Sequence, residues 1–462
     1  MAPRTILPLA ALILCAGCTM APEYTRPAAP VPAAWPQAAS APAGPAASEV
    51  GWQDFFQDPD LRAIIATALA HNRDVRIAAL NVEKAQALYR VQRSGLYPDV
   101  GVMASGSKYR KPETMNSSGQ VTYVEQTTVE FGVLSWELDF FGRIRSLKEE
   151  ALNQYLATEQ AHAAARVALV SAVAQSCCAC AADRECLQLA QSTFETQKAY
   201  LELITRSRDA GVASDLDVHQ AESQTEAARA DVARYRGLVA TDQNALELLV
   251  GAPVDPAILP KGLDAAGSLK DISAGLPSDV LLGRPDILMA EYQLKAANAD
   301  IGAARAAFFP RVTLTAGVGT MSPEFSQLFS SGTRTWSFAP QIVAPIFAGG
   351  SLRANLKAAQ AGREIAVAQY EKAIQTAFKE AADGLIQRGT CTEQLEAQRA
   401  LVQALEASHK LAQARYEAGL DGYLNVLVTQ KALYAAQQGL VGTRLALRAS
   451  RITLFKALGG RV

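Results

Sequence analysis

The sequence predicts a mixed α/β protomer, mainly α-helical, that contains two copies of one helix–strand–strand–helix unit. Three observations support this fold class. A helix-to-strand junction occurs twice, two alternating apolar stretches follow each junction, and a very long helical stretch follows each of these pairs. We therefore expect four β-strands in each chain and an internally duplicated architecture.

The repeated junction reads LYPDV at residues 96–100 and FFPRV at residues 308–312. Its prolines, Pro98 and Pro310, lie 212 residues apart (310 − 98), and the match continues upstream without a gap, where Asp74 pairs with Asp286. Proline cannot donate to a helical ladder and disfavours helix at the residue before it. Each proline therefore predicts a switch from helix to strand.

The N-terminus predicts a bacterial targeting segment. Arg4 precedes a short apolar run, and small residues lead into Cys18. The run is too short to span a bilayer as a mature helix. We expect a signal peptide over residues 1–17 and acylation of Cys18, such as by palmitate, although Cys15 stands where a lipobox usually has leucine. The alternative is an ordinary signal peptide with an incidental cysteine.

The segment 18–50 predicts a lipid-anchored tether, because its many prolines exclude a helix and favour an extended chain. The first repeat then occupies residues 51–250. Asn72 is the expected N-cap of a helix that runs to about residue 97, and a strand starts at Val100. A polar loop over 108–123 and a second strand over 126–141 follow.

In that second strand, Leu134, Trp136, Leu138 and Phe140 alternate with polar residues, which predicts one apolar and one polar face. A long helix over 143–209 and a return helix to about residue 250 complete the repeat. Residues 251–275 are rich in Gly, Pro and Asp and predict an irregular connector in an equatorial region.

The second repeat occupies residues 276–462. Its strands are expected at 312–319 and 336–346, separated by a loop over 322–333, and Pro340 and Pro345 predict local bends in the last strand. A long helix over 350–417 and a return helix to about residue 456 follow. Leu314 is expected on the apolar face of the first of these strands and Thr313 on its polar face.

A matching turn ends both long helices, AGVASDLDV at 210–218 and AGLDGYLNV at 418–426. The turn glycines lie 208 residues apart (419 − 211) and suit the left-handed residue that ends a helix. Ser214 and Asp217 predict a capping box for the next helix.

The apolar strands are about ten residues long, which is enough to cross a bilayer when tilted. Four strands cannot close a barrel, and lipid does not tolerate an open sheet edge. Two chains would give eight strands and a filled interior, whereas three give twelve strands and a lumen. The fold expected is a homotrimer with a twelve-stranded transmembrane β-barrel. It is continued by a long periplasmic α-helical barrel, because the long helices carry charges throughout.

Composition excludes several function classes. A net charge of −1 without a basic patch argues against nucleic acid as a partner. The four histidines are scattered, and no nucleophile elbow, phosphate loop or carboxylate pair indicates an enzyme or a cofactor. The four clustered cysteines are interpreted as small apolar residues of a helix seam rather than as a metal site: Cys177, Cys178, Cys180 and Cys186. The alternative is a disulfide among them, formed in an oxidising periplasm.

Three further stretches carry a resemblance: WELDFFGRIRS (136–146), APIFAGGSLRA (344–354) and RYEAGLDGYLNVL (415–427). Together with the junctions they resemble the outer-membrane factor family of TolC-like exit ducts. The N-terminus is most similar to that of the NodT-type efflux lipoproteins. The resemblance implies an exit channel in the outer membrane of a Gram-negative bacterium, extending into the periplasm. It also implies a periplasmic adaptor and an inner-membrane pump of the resistance-nodulation-division type as partners, and a role in antibiotic resistance.

The resemblance also implies sites at the periplasmic turns. Channels of the family narrow there through contacts between neighbouring coils, which makes Arg415, Tyr416 and Asp421 gate candidates. An apolar residue follows each turn glycine, so we expect both turns to dock the adaptor. The docking residues expected are Ala210, Gly211, Val212, Ala418, Gly419 and Leu420. The alternative is that these residues only cap helices and face solvent.

Two other functions stay open. One is the exit duct of a type I secretion system, which shares this architecture. The other is a non-conducting structural lipoprotein that spans the periplasm with closed coils, and conductance of purified trimer in planar bilayers separates it from a channel.

Overall fold

A computed structural model of the chain describes residues 19–32, 34–35, 50–117, 119–272 and 282–462. The predicted signal peptide, Cys18, part of the tether and the end of the connector lie outside the described residues. The elements are α1 Trp52–Phe55, α2 Pro59–His71, α3 Arg73–Ser94, β1 Val100–Lys111, β2 Thr122–Leu138, α4 Arg143–Asp209, α5 Asp215–Val250, α6 Pro285–Ala306, β3 Arg311–Ser322, β4 Arg334–Val343, α7 Ser351–Glu417 and α8 Tyr423–Ala457.

The duplication predicted from the junctions is confirmed by the element bounds. Helices α3 and α6 both contain 22 residues, and helices α4 and α7 both contain 67 residues. Pro98 and Pro310 lie between the end of α3 or α6 and the start of the next strand, as predicted. At 1.5 Å per residue, each of the two longest helices extends over roughly 100 Å.

The predicted helix caps are also present. The Asn72 side chain accepts a hydrogen bond of 3.0 Å from the Val75 backbone N–H, which satisfies one of the unpaired donors at the start of α3. Ser214 and Asp217 form the predicted capping box at the start of α5.

The four strands form one antiparallel sheet in the order β1-β2-β3-β4. Its register aligns the apolar residues in continuous rows across all four strands, for example Val102, Phe131, Val318 and Trp336. The neighbouring row on the other face consists of Gly101, Gly132, Gly317 and Ser337. One face is therefore apolar and the other is small or polar, which is the pattern of a membrane barrel with a wet interior.

The prediction that Leu134 shares a face with Trp136 is wrong. The register of β2 against β3 shifts between Val133 and Trp136, so an additional residue is accommodated there. A bulge of this kind changes the face on which every later residue lies. Leu134 lies over Gly101, on the polar face, whereas Trp136 and Leu138 stay with the apolar rows.

The outer ends of the strands also differ from the prediction. Strand β1 continues to Lys111 and β2 begins at Thr122, so the loop expected over 108–123 is shorter. The alternation of apolar residues in β1 stops before the backbone hydrogen bonds between β1 and β2 do, because backbone pairing does not require apolar side chains. Strand β4 ends at Val343, which leaves Pro345 outside it, and the register is uninterrupted at Pro340.

Two compact units make up the chain. The first contains the described residues within 19–28, 81–159 and 289–370, and the sheet belongs to it. The second contains the described residues within 29–80, 160–288 and 371–462. In the second unit the rings of Phe55 and Phe455 stack at 4.3 Å, and both side chains are fully buried.

One helix among the described residues, α4, includes a stretch long and apolar enough to cross a membrane, and half of that stretch is buried in the protomer. Val170, Val173 and Ala174, within the uncharged segment 167–182, are fully buried. The segment packs as a buried helix, as the sequence indicates.

Leu314→Arg tests the assignment of the two faces. Leu314 lies in a row with Trp136 and Pro340 on the apolar face, so the charge would enter lipid at a cost of about 2–4 kcal/mol near the midplane. We expect less assembled protein in membrane fractions. The matched variant Thr313→Arg places the same charge beside Glu137 and Gln341, where it should change conductance and spare assembly. Equal behaviour of the two variants would contradict the register.

Candidate functional site

The two tip turns, residues 210–214 and 418–422, have the same hydrogen-bonded geometry. In the first, Val212 N–H donates to the Ser207 carbonyl at 2.8 Å and Gly211 N–H to Arg208 at 2.8 Å. In the second, Leu420 N–H donates to the Arg415 backbone carbonyl at 2.9 Å, and Gly419 N–H donates to the Tyr416 backbone carbonyl at 2.8 Å. These are Schellman motifs, and Gly211 and Gly419 hold the required positive φ of 77° and 73°.

The apolar residue after each glycine has no partner of its own kind within the turn. A Schellman motif usually packs this residue against a side chain of the last helical turn. Here those positions hold Ser207 and Arg415, which are polar. The side chains of Val212 and Leu420 are therefore left exposed. Val212 is 82% exposed and Leu420 is 66% exposed in the protomer. The predicted docking residues are therefore available for a contact.

The apolar surface at the tips is larger than the sequence analysis predicted. Leu216 and Leu424, in the first turns of α5 and α8, are both exposed. They line a groove of about 420 Å³ together with His219, Leu427 and Val428. The sequence repeat could have predicted these two leucines, because Leu216 and Leu424 lie 208 residues apart, which is also the separation of the two turn glycines.

Two of the three gate candidates form a pair within one turn. The Arg415 guanidinium donates to the Asp421 carboxylate at 2.7 and 3.0 Å, and this hydrogen bond and charge hold the pKa of Asp421 below its usual value. Both side chains are solvated, so the pair contributes little to stability. It closes the second tip turn and, in the protomer, does not join α7 or α8 to another helix.

The third gate candidate, Tyr416, belongs to a tyrosine cluster that sequence reasoning missed. The rings of Tyr200 and Tyr423 stack with centroids 3.6 Å apart, and Tyr416 contacts Tyr423 edge-on at 5.3 Å. Tyr200 lies on α4, whereas Tyr416 and Tyr423 flank the second tip turn on α7 and α8. The cluster therefore joins the helix pair α4–α5 to the helix pair α7–α8.

Burial raises the pKa of Tyr200 and of Tyr423 above the ordinary tyrosine value, so both rings stay neutral. The Tyr200 hydroxyl is buried and interacts with the side chains of Tyr416 and Tyr423, which adds to the rise of its pKa. The cluster is therefore an uncharged, buried contact between the two helix pairs.

The strap, residues 19–32, is held by side chains of α6. The Asn298 amide donates to the Pro22 carbonyl at 2.7 Å, and Arg305 donates to the Met20 carbonyl at 3.2 Å. The described part of the expected tether thus contains no helix or strand and is bound to α6. No periodicity in the sequence indicates this contact, because it joins residues more than 270 positions apart.

A buried carboxylate, Glu291, forms the centre of the strap contact. Arg26 donates to it at 2.7 and 3.2 Å, the Tyr24 hydroxyl donates at 3.2 Å, and the Lys295 ammonium lies 3.0 Å away. Burial alone would raise the pKa of Glu291, but hydrogen bonds from Lys295 and Arg26 hold it below its usual value. Burial and the Glu291 charge raise the pKa of Tyr24 to about 12.

The sign of the Glu291 shift gives the pH dependence of the strap contact. A carboxylate whose folded-state pKa is lowered stabilises the fold above its unfolded pKa. That contribution is lost as the pH falls through the folded-state value. The strap contact is therefore at full strength at neutral pH.

The junction at Pro310 adjoins the polar face of the sheet. Pro310 lines a cavity of about 500 Å³, in which the rings of Phe141 and Phe309 stack at 4.7 Å. Glu137 accepts hydrogen bonds of 2.7 and 2.8 Å from Arg143 in the same cavity. The ion pair and the ring stacking thus stabilise the chain where β2 ends and α4 begins.

The four clustered cysteines are buried free thiols. Burial raises the pKa of each thiol, which keeps it protonated and unreactive. Cys177 and Cys178 pack near Leu61 and Ile64 of α2. Within the described part of the chain, no group of three His, Cys, Asp or Glu side chains could hold a metal ion. The packing role predicted for these cysteines agrees with their burial.

The family model described as outer membrane efflux protein matches the chain twice, over residues 64–252 and 276–460. The chain belongs to the outer membrane efflux protein family. Both matches begin before a helix-to-strand junction and end after a return helix, so each covers one copy of the repeated unit. The family is one of channels that serve transport.

Similar proteins carry names that agree with this membership. The chain is 48% identical over 449 residues to the antibiotic efflux pump outer membrane protein ArpC of Pseudomonas putida, and the match covers 96% of this chain and 93% of that protein. It is likewise 48% identical, with the same coverage, to a toluene efflux pump outer membrane protein, TtgC, of the same species.

The solved structure of the open state of the Neisseria gonorrhoeae MtrE outer membrane channel is similar to this fold. Its TM-score is 0.87 at 35% identity, covering 96% of this chain and 98% of that chain. The predicted fold class is confirmed: the efflux protein is a mainly helical protomer that supplies four of the twelve strands of a trimeric barrel. It is located in the outer membrane and serves as the exit channel of an efflux pump.

Gly302→Ala tests the strap contact. A Cβ at Gly302 would lie 2.7 Å from the Ala21 backbone nitrogen and 2.6 Å from the Ser146 hydroxyl, so the strap would have to move. We expect chymotrypsin to cleave after Tyr24 much faster in the folded variant, measured by mass spectrometry of the N-terminus. Gly362→Ala is the control, because a Cβ there meets nothing within 4 Å. Equal cleavage rates in the two variants would argue against a bound strap.

Proposed function

We propose that this channel receives its cargo through a periplasmic adaptor that docks on the two tip turns, and that an inner-membrane pump of the resistance-nodulation-division type drives the transport. The observation that carries the proposal is the pair of exposed apolar residues, Val212 and Leu420, in turns of identical geometry. A trimer presents six such turns, and a repeated apolar patch on a polar surface is typical of a contact site.

The groove beside the turns extends the docking surface. Leu216 and Leu424 continue the apolar surface from the turns into the first turns of α5 and α8. A helical hairpin of an adaptor, laid along this groove, would bury these leucines together with Val212 and Leu420. The small side chains in the two turns let the hairpin approach the backbone closely: Ala210, Gly211, Ala418 and Gly419.

The cargo is proposed to be small organic molecules. Relatives that are 48% identical to this chain are named for antibiotic efflux and for toluene efflux. The chain itself acts as a duct and carries out no chemistry on the cargo. No observation in the structure favours a protein substrate, which a type I secretion duct would carry.

The tyrosine cluster, together with the Arg415–Asp421 pair, is proposed to close the periplasmic end of the channel. Opening requires the two helix pairs to separate, and Tyr200, Tyr416 and Tyr423 join them. The Arg415–Asp421 pair shapes the turn that carries Tyr416 and Tyr423. Stacking of the rings favours the closed arrangement.

Acylation of Cys18 remains a proposal, since that residue lies outside the described part of the chain. The strap supports it, because Thr19 follows Cys18 directly and its hydroxyl lies 3.4 Å from that of Ser146 at the start of α4. An acyl group on the residue before Thr19 would therefore be attached to a segment that is itself bound to the protein. The mass of the mature N-terminus tests the modification.

Tyr423→Ala tests the gate. Each aromatic pair contributes about 0.5–1.5 kcal/mol beyond its buried area, so each of the two lost contacts should increase the open population roughly 2- to 10-fold. We expect a corresponding increase in the conductance of purified trimer in planar bilayers. Arg415→Gln is the comparison variant, with a smaller increase expected because its ion pair is solvated. If Tyr423→Ala left the conductance of the closed channel unchanged, the tyrosine cluster would not be part of the gate.

The double variant Val212→Asp, Leu420→Asp tests the docking surface. Both side chains are exposed, so the charges should leave trimer levels in the outer membrane normal. Docking should fail, with loss of chemical crosslinking to the adaptor and of efflux measured by drug susceptibility. The control, Val212→Ile with Leu420→Met, keeps the apolar surface and should keep efflux. If efflux persisted in the aspartate variant, the adaptor contact would have to lie elsewhere.

A further inference from the structure

The apolar face of the sheet ends in basic residues at the end that carries the hairpin loops. On β1 the residues of this face are Val100, Val102 and Ala104, followed by Gly106, Lys108 and Arg110. The register assigns them to one face because side chains alternate along a strand. Lys108 and Arg110 therefore lie on the lipid-facing surface, beyond the apolar rows.

The opposite edge of the sheet has the same arrangement. Arg334 is the first residue of β4 and precedes Trp336 by two positions, so both lie on the apolar face. The register places Arg334 in one row with Thr320, Val129 and Ala104. The basic rim, defined here as Lys108, Arg110 and Arg334, thus occupies both edge strands of the protomer.

Aromatic residues place the basic rim at the level of the lipid headgroups. Tyr123 lies directly opposite Arg110 in the β1–β2 ladder and is 70% exposed, and Trp336 is 76% exposed. Tyrosine and tryptophan on the outer face of a membrane barrel form girdles at the interface. The helices attach to the other ends of the strands. The girdle beside the hairpin loops therefore belongs to the outer leaflet.

The charge of the basic rim is not compensated within the protomer. Lys108 pairs with Glu125 of the same face at 2.7 Å. Arg110 and Arg334 are exposed, and neither has an ion pair or a side-chain hydrogen bond to any of the described residues. Three cations thus accompany one carboxylate, and the two arginines have all their donors available.

We propose that the basic rim binds phosphate groups of the outer-leaflet glycolipid, lipid A. Arginine presents a planar fork of donors that matches phosphate, and charge-assisted hydrogen bonds of this kind are strong at a partly dehydrated interface. Closure of the barrel joins β4 of one chain to β1 of the next. Arg334 and Arg110 are therefore brought onto one outer surface at each of the three junctions between chains, so the bound lipid would cover these junctions.

The experiment uses the purified full-length trimer and diphosphorylated lipid A, with binding counted by native mass spectrometry. The double variant Arg110→Gln, Arg334→Gln should bind lipid A at least about tenfold more weakly, since each lost charge-assisted bond corresponds to roughly that factor. Lipid A with both phosphates removed should bind the unaltered trimer as weakly as the variant binds the phosphorylated form. Only assembled trimers are compared, so a difference in folding yield does not enter the result.

Lys111→Gln is the matched control. Lys111 follows Arg110 directly and pairs with Thr122 on the opposite face, toward the lumen, so its loss should leave lipid binding unchanged. Equal binding by the arginine variant and the unaltered trimer would overturn the proposal. So would an equal loss in Lys111→Gln, or equal binding of phosphorylated and dephosphorylated lipid. Competition by inorganic phosphate at equal concentration would show an ion site in place of a lipid site.

Discussion

Hydrogen bonding of the strand backbones is the constraint on which the rest of the architecture depends. Lipid offers no partner for an unpaired N–H or C=O, so a spanning sheet must close on itself. In one protomer the ladder runs from β1 to β4 and leaves the outer edges of these two strands free. Three copies supply the twelve strands of a barrel with an open lumen. The channel is therefore a property of the assembly.

The same constraint explains the bulge in β2. If the strand continued in simple alternation beyond Val133, Glu137 would face lipid and Trp136 would face the lumen. The additional residue between Val133 and Trp136 reverses this assignment. Trp136 joins the apolar rows, and Glu137 lies on the polar face, where it pairs with Arg143. A local irregularity of the backbone thus keeps one face apolar over the full length of the strand.

Most of the fold could be predicted because its signals are local and occur twice. A proline after a helical stretch and a glycine before Val212 or Leu420 each determine a backbone change by their own chemistry. The bulge, the stacking of Tyr200 and the burial of Glu291 depend on residues far apart in the chain. Alternation and spacing carry no information about such contacts, so these parts of the site required the structure.

Disulfide crosslinking across the expected β4–β1 junction tests the central claim most directly. Val102→Cys on β1 is combined in turn with Trp336→Cys, Phe338→Cys or Ile342→Cys on β4. Every variant also carries Cys391→Ser, and the membranes that contain it are oxidised. Within one chain these strands lie roughly 14 Å apart, too far for a disulfide. Closure by three copies predicts covalent trimers for at least one pair and none for single cysteines. Products that end at dimers for every pair would contradict it.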